Sequence, residues 1–244
     1  MLPFVLALVI YLAAMIKNFF EGKIWPFYRI VLWVMGIFCV LVTVTGPLAA
    51  RSHIDFTAHM LAHLLLGMLA PLLMVLAAPM TLLFKTLPVV WARRLAKILR
   101  CNYFRFISNP MIASIFNIGG LWLLYCSRLY HVTHEHTLVH MVVHWHIFLS
   151  GYIFTASIIY IDPSSHQTSF LSRAGVLVTA LSGHGILAKY LYAHPPAGVS
   201  TEQGELASML MYYGGDVIEL VSIIILCYQW YKAARPGRSV GQYY

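Results

Sequence analysis

The residue that stands out for chemistry is histidine, present 12 times in 244 residues beside only 8 acidic side chains. His59 and His63 lie four apart, and His136, His140 and His144 repeat that interval. On a helix such residues stack on one face. Each set therefore offers a column of imidazoles, and imidazoles one turn apart chelate a metal ion from a single helix. His146 falls two positions beyond His144, turns away, and reads as a packing or hydrogen-bonded histidine. For His184, alone in an apolar stretch, bridging two helices competes evenly with ligation. Asp216 and Glu219 are three apart and also share a face. Their competing reading is pairing with the histidines, or with each other through one proton. Gly214 and Gly215 just before them loosen the helix or admit a close neighbour. Met60, Met141, Met209 and Met211 add thioethers, which suit Cu(I). Cys39 and Cys126 read better as small buried apolar residues than as thiolates.

The elements that must position these groups belong in a membrane. AVILMFWYC residues make up 60% of the chain and charged residues 10%. Its mean hydropathy is +0.77. A soluble domain carries about 25% charged residues. The composition excludes disorder, nucleic-acid binding and a soluble domain. The net charge of +8 fits cytoplasmic flanking charges rather than a polyanion partner. The four widely spaced cysteines form no CxxC, hence neither a disulfide framework nor a zinc ribbon.

A span needs about 20 mostly apolar residues. Seven stretches meet that need: Leu2–Phe19, Tyr28–Leu48, Ala58–Phe84, Pro110–Leu129, Thr137–Ile161, Leu171–Tyr192 and Leu206–Tyr231. The first has no positive charge before it, so it reads as a span and not as a signal peptide. The expected fold is all-α: one polytopic domain of seven transmembrane helices over residues 1–244. With the N-terminus outside and the C-terminus inside, only Arg51, Arg128 and Lys189 of the 16 Lys and Arg fall on the outer side. That is a strong positive-inside signal. Of the histidines, only His166 is then cytoplasmic. Trp91–Ile107, with Arg93, Arg94, Lys97 and Arg100 among apolar residues, is expected to lie as an amphipathic connector on the inner leaflet. The outer loop Ala193–Glu205 is polar, rich in Pro and Gly, and expected to be mobile.

Depth brings the candidates together. At about 1.5 Å per residue, His63 and His144 lie roughly 9–10 Å below the outer ends of their helices, and His184 roughly 12 Å. Asp216 and Glu219 lie roughly 15–20 Å down on the same scale. Carboxylates so deep call for a cation or a proton. Imidazole suits Zn, Cu, Fe and Ni, and the sulfur residues tilt the site toward copper. Two alternatives stay open: a haem b held by two histidines, and a zinc hydrolase in which a carboxylate activates water.

The run HMLAHLLLGMLAPLLMVLAAP (His59–Pro79), then HWHIFLSGYIF (His144–Phe154) and the SGHGI around His184, resembles the polytopic CtaG family of cytochrome c oxidase assembly factors. Its most specific part reads here as His59, Met60, His63, Leu66, Met68, Ala70, Pro71, Leu72 and Leu73. The resemblance runs from the second span to the seventh. It implies a bacterial inner-membrane protein that helps assemble a caa-type haem–copper oxidase, with oxidase subunits as partners, by supplying copper from the outer side. It assigns no ligands. Spacing and depth nominate His59, His63, His136, His140, His144, His184, Asp216 and Glu219 as the metal set. The loop histidines His53, His131 and His134 would collect Cu(I). The reading favours a metal-handling factor over an enzyme.

Overall fold

The computed structural model describes residues 2–164 and 167–235, apart from the side chain of His134. The cytoplasmic positions expected for His166 and Arg238 lie outside the described residues. Helices account for nearly all of the rest, and no strand occurs among the described residues. Six helices are long and apolar enough to cross a bilayer: α1 (Leu2–Phe20), α2 (Phe27–Val44), α4 (Phe56–Leu76), α10 (Thr137–Ile158), α11 (Phe170–Ala193) and α12 (Thr201–Ala234). Between them lie α3 (Pro47–Arg51), α5 (Pro79–Thr86), α6 (Val89–Leu99), α7 (Asn102–Ile107) and α9 (Leu129–Glu135). The apolar helix α8 (Pro110–Cys126) stands where the fourth span was expected, but is shorter than the six.

Several expected boundaries move, each for a local reason. The second span stops at Val44 because Gly46 adopts φ +87 and Pro47 opens a new short helix. The third does not run on to Phe84. It ends at Leu76, Ala78 takes a left-handed φ of +52, and Pro79 starts α5. Side chains satisfy the backbone groups this break exposes. The Tyr11 hydroxyl donates to the Ala77 carbonyl, while Asp162 accepts from the Met80 and Thr81 amides and the Thr81 hydroxyl. The basic connector is two helices, α6 and α7, rather than one. The outer loop shrinks to residues 194–200, because Ser200 accepts from the Gln203 amide and caps a 34-residue α12. The Ser-Thr-Glu-Gln run is a helix-start signal.

The most buried of the long helices is α4. It packs against α2, α10 and α12, while α11 pairs with α12. Contact between α4 and α10 is close enough that a Cβ on Gly151 would collide with the Gly67 carbonyl oxygen. Both α4 and α8 contain a π-helical turn, Leu65–Leu69 and Ile115–Gly119 respectively. Such turns are rare and frequent at functional sites. His146 uses the second one: its Nε2 donates to the Phe116 carbonyl, 3.1 Å away, the hydrogen-bonded role expected of it.

Candidate functional site

Three of the nominated residues meet in the interior. His63 comes from α4, His184 from α11 and Glu219 from α12; they are 5%, 1% and 9% exposed. All three line one cavity of about 40 Å³, with Met68, Asn117 and Ser222 also in its wall. His184 Nδ1 lies 3.3 Å from Glu219 Oε1. With the ring proton on the nitrogen that faces the carboxylate, Nε2 carries the lone pair. This is how a carboxylate orients a metal-binding imidazole. His184 Nε2 and both ring nitrogens of His63 are buried without a hydrogen-bond partner. Buried polar groups are nearly always paired, so three such nitrogens beside one cavity call for a ligand. The sequence builds the place locally. A Cβ on Gly215 would collide with the His184 ring, so glycine there admits the imidazole against α12. On the other side, the Trp122 indole donates to the Gly183 carbonyl and fastens α8 to α11 beside His184.

A second group sits where α3, α4 and α10 come together. The His53 and His140 rings lie 4.8 Å apart, and those of His140 and His144 3.9 Å. His144 Nδ1 donates to the His140 carbonyl at 2.9 Å, which leaves Nε2 as the donor atom toward a ligand. The three rings, with Met141 and Trp145, line an open cavity of about 310 Å³. A narrow pocket of about 10 Å³ lies between the two groups and is lined by both His63 and His144. His144 thus belongs to the walls of the open cavity and the narrow pocket, and His63 to those of the narrow pocket and the buried cavity.

The other nominated residues lie outside these two groups, although His59 also lines the narrow pocket. His59 shares a 3.1 Å hydrogen bond with the Tyr125 hydroxyl and lies among Phe56, Tyr125 and Tyr130. His136 is exposed at the start of α10, so the column of three expected there brings only His140 and His144 into a group. Asp216 is exposed on α12, while Glu219 turns inward; the shared face expected for the two carboxylates does not hold. Three residues put them only about 60° apart around the helix, but the edge of the packed face falls between them, and His184 of α11 meets Glu219. Of the thioethers, Met60 and Met211 are fully buried in the apolar core and Met209 is exposed. Cys39 is buried in an apolar cluster, as expected, whereas Cys126 is exposed. His131 pairs with Glu135 at 3.4 Å. Met68, Asn117 and Ser222 in the cavity wall were missed. Met68 was legible as part of the histidine run, but the other two carry no spacing signal. Among the described residues, no three His, Cys, Asp or Glu side chains cage a metal ion as they stand.

Residues 9–233 match the family model described as cytochrome c oxidase caa3 assembly factor. The chain belongs to that family. The resemblance noted in the sequence is thereby shown over nearly the whole length of the chain. Among curated proteins it is similar to uncharacterized proteins of mycobacteria. One, from Mycobacterium leprae, is 28% identical over 184 residues, which cover 71% of this chain and 28% of that protein. Others, from Mycobacterium bovis and Mycobacterium tuberculosis, are each 29% identical over 177 residues, covering 67% of this chain and 26% of theirs. The chain thus spans about a quarter of the length of these relatives. No solved structure matches it.

Proposed function

We propose that this caa3 assembly factor takes up copper at its outward face and passes it, through a line of histidines, into the membrane interior for delivery to the oxidase. The observation that carries the reading is the sharing of walls: His144 joins the open cavity to the narrow pocket, and His63 joins that pocket to the buried cavity. Successive weak sites, each giving two or three donors, suit an ion that must move on. The open cavity combines imidazole with the Met141 thioether, a donor set for copper. A volume of about 40 Å³ at the buried end suits an ion; a porphyrin does not fit there. His59 serves the route from beside it, holding Tyr125. His136 would gather ions at the surface, and Asp216 stands outside the line.

The reading includes a seven-span topology in a bacterial inner membrane, N-terminus outside, with α8 as the additional crossing and oxidase subunits as partners. Supporting it, Tyr125 near the end of α8 meets His59 near the start of α4. The 17 residues of α8 extend about 26 Å from there toward the opposite end of the molecule. The copper-to-haem ratio of the purified oxidase tests the function, in cells whose only assembly factor is the His63→Ala/His144→Ala variant. The expected result is oxidase protein at normal haem content with less than half its copper. Full copper loading by that variant would leave only a scaffolding role.

A further inference from the structure

Charge at the buried cavity points to the valence of what it holds. Glu219 is the single carboxylate in its wall, and no Lys or Arg is there. His63 and His184 as ligands are neutral imidazoles, so the lining supplies one negative charge. A site of about 40 Å³ holds an ion with at most a few waters, which carry no charge, so the compensating charge must come from the protein groups. In so apolar a place, a net charge is costly. One monovalent cation beside Glu219 makes the assembly neutral, whereas a divalent cation leaves a full positive charge buried. The donors narrow the choice further. Two imidazole nitrogens with the Met68 thioether nearby are poor ligands for Na⁺ or K⁺ and good ones for a soft ion.

From this lining we infer that the cavity is a monovalent-metal site, built for Cu(I) between His63 and His184 and selecting against Zn(II) and Cu(II) by charge. Glu219 is a positioning and charge-balancing residue. It acts through His184 Nδ1, directing Nε2 to the ion. The inference rests on the copper-handling reading and adds to it the buried site that holds the monovalent ion and the means of selection.

The test uses the full chain in detergent under anaerobic, reducing conditions, with His53→Ala/His140→Ala to silence the open cavity. Cu(I) is titrated against a chromophoric chelator, with Ag(I) and Zn(II) as competitors. One equivalent of Cu(I) should bind, and Ag(I) should displace it while equimolar Zn(II) does not. Glu219→Gln keeps an acceptor for His184 but removes the charge, and should weaken Cu(I) and Ag(I) about 10–100-fold. Ser222→Asp adds a second carboxylate to the same wall and should shift preference toward Zn(II); Asn117→Asp should do the same should Ser222→Asp not fold. A purely structural role for Glu219 predicts equal loss for monovalent and divalent ions and no gain of Zn(II) in either Asp variant. Zn(II) binding as tight as Ag(I) in the unaltered cavity would overturn the inference while leaving metal binding intact. Copper bound with the open cavity present but none with it silenced would also overturn it, and would leave the copper-handling reading standing. No copper in either protein would overturn both.

Discussion

His63 illustrates what a histidine at a ligand site does to the protein that carries it. Both of its ring nitrogens are buried and unpartnered, which costs stability in the metal-free protein. Replacing it with Leu removes that cost at similar volume. His63→Leu should therefore raise the unfolding free energy of metal-free protein by about 1–3 kcal/mol while abolishing tight copper binding. Denaturant unfolding with and without Cu(I) reads both effects; a destabilised variant would mean that the imidazole has a partner after all. His59 is the contrast. Its hydrogen bond holds the Tyr125 hydroxyl. His59→Leu should cost about 1–3 kcal/mol by stranding that group, with copper stoichiometry unchanged. From the sequence these two histidines looked equivalent, one turn apart on the same face. What separates them is hydrogen bonding: His59 is bonded to the Tyr125 hydroxyl, whereas the His63 nitrogens have no partner although the Tyr125 ring lies beside them too, and a single chain's spacing carries no information on that. Asp216 and Glu219 divide in the same way, according to where α11 lies.

Among the elements, helix periods and apolar length were legible and breaks were not. The stretch through Leu76, Ala77, Ala78 and Pro79 is apolar throughout, so hydropathy runs on across a place where the backbone turns. The break is held from outside by Tyr11 and Asp162, residues far away in the chain. Ala78 sits in the left-handed region, where an L side chain costs about 1–2 kcal/mol. Ala78→Gly should stabilise the protein by roughly 0.5–1 kcal/mol, the relief of that cost less glycine's extra chain entropy. Asp162→Ala should cost about 0.5–2 kcal/mol by freeing the first amides of α5. Melting curves of the two variants should move in opposite directions. By contrast, the start of α12 was legible in Ser200 and Gln203 as a capping pair, but the surrounding Pro and Gly suggested a loop.

At the scale of the whole molecule, composition alone pointed to a polytopic helical protein, and six apolar helices of spanning length agree. The crossing by α8 is the topological claim with the most consequence, because it returns the chain to the histidine-bearing end. Cysteines introduced at Lys97 and His131 in the cysteine-free protein should be labelled from opposite sides of the membrane by an impermeant thiol reagent. Labelling from one side would remove α8 as a span. The convergence of His63, His184 and Glu219 from three helices was only partly legible: depth suggested it, but pairing of helices decided it. The most direct test of the account is the metal content of the purified His53→Ala/His140→Ala protein, in which the open cavity is silenced, measured by elemental analysis beside that of the His63→Ala/His184→Ala double variant made in the same background. The account predicts near-stoichiometric copper, lost in the double variant, and no Soret band in either. Copper retained in the variant, or zinc or haem in its place, would contradict it.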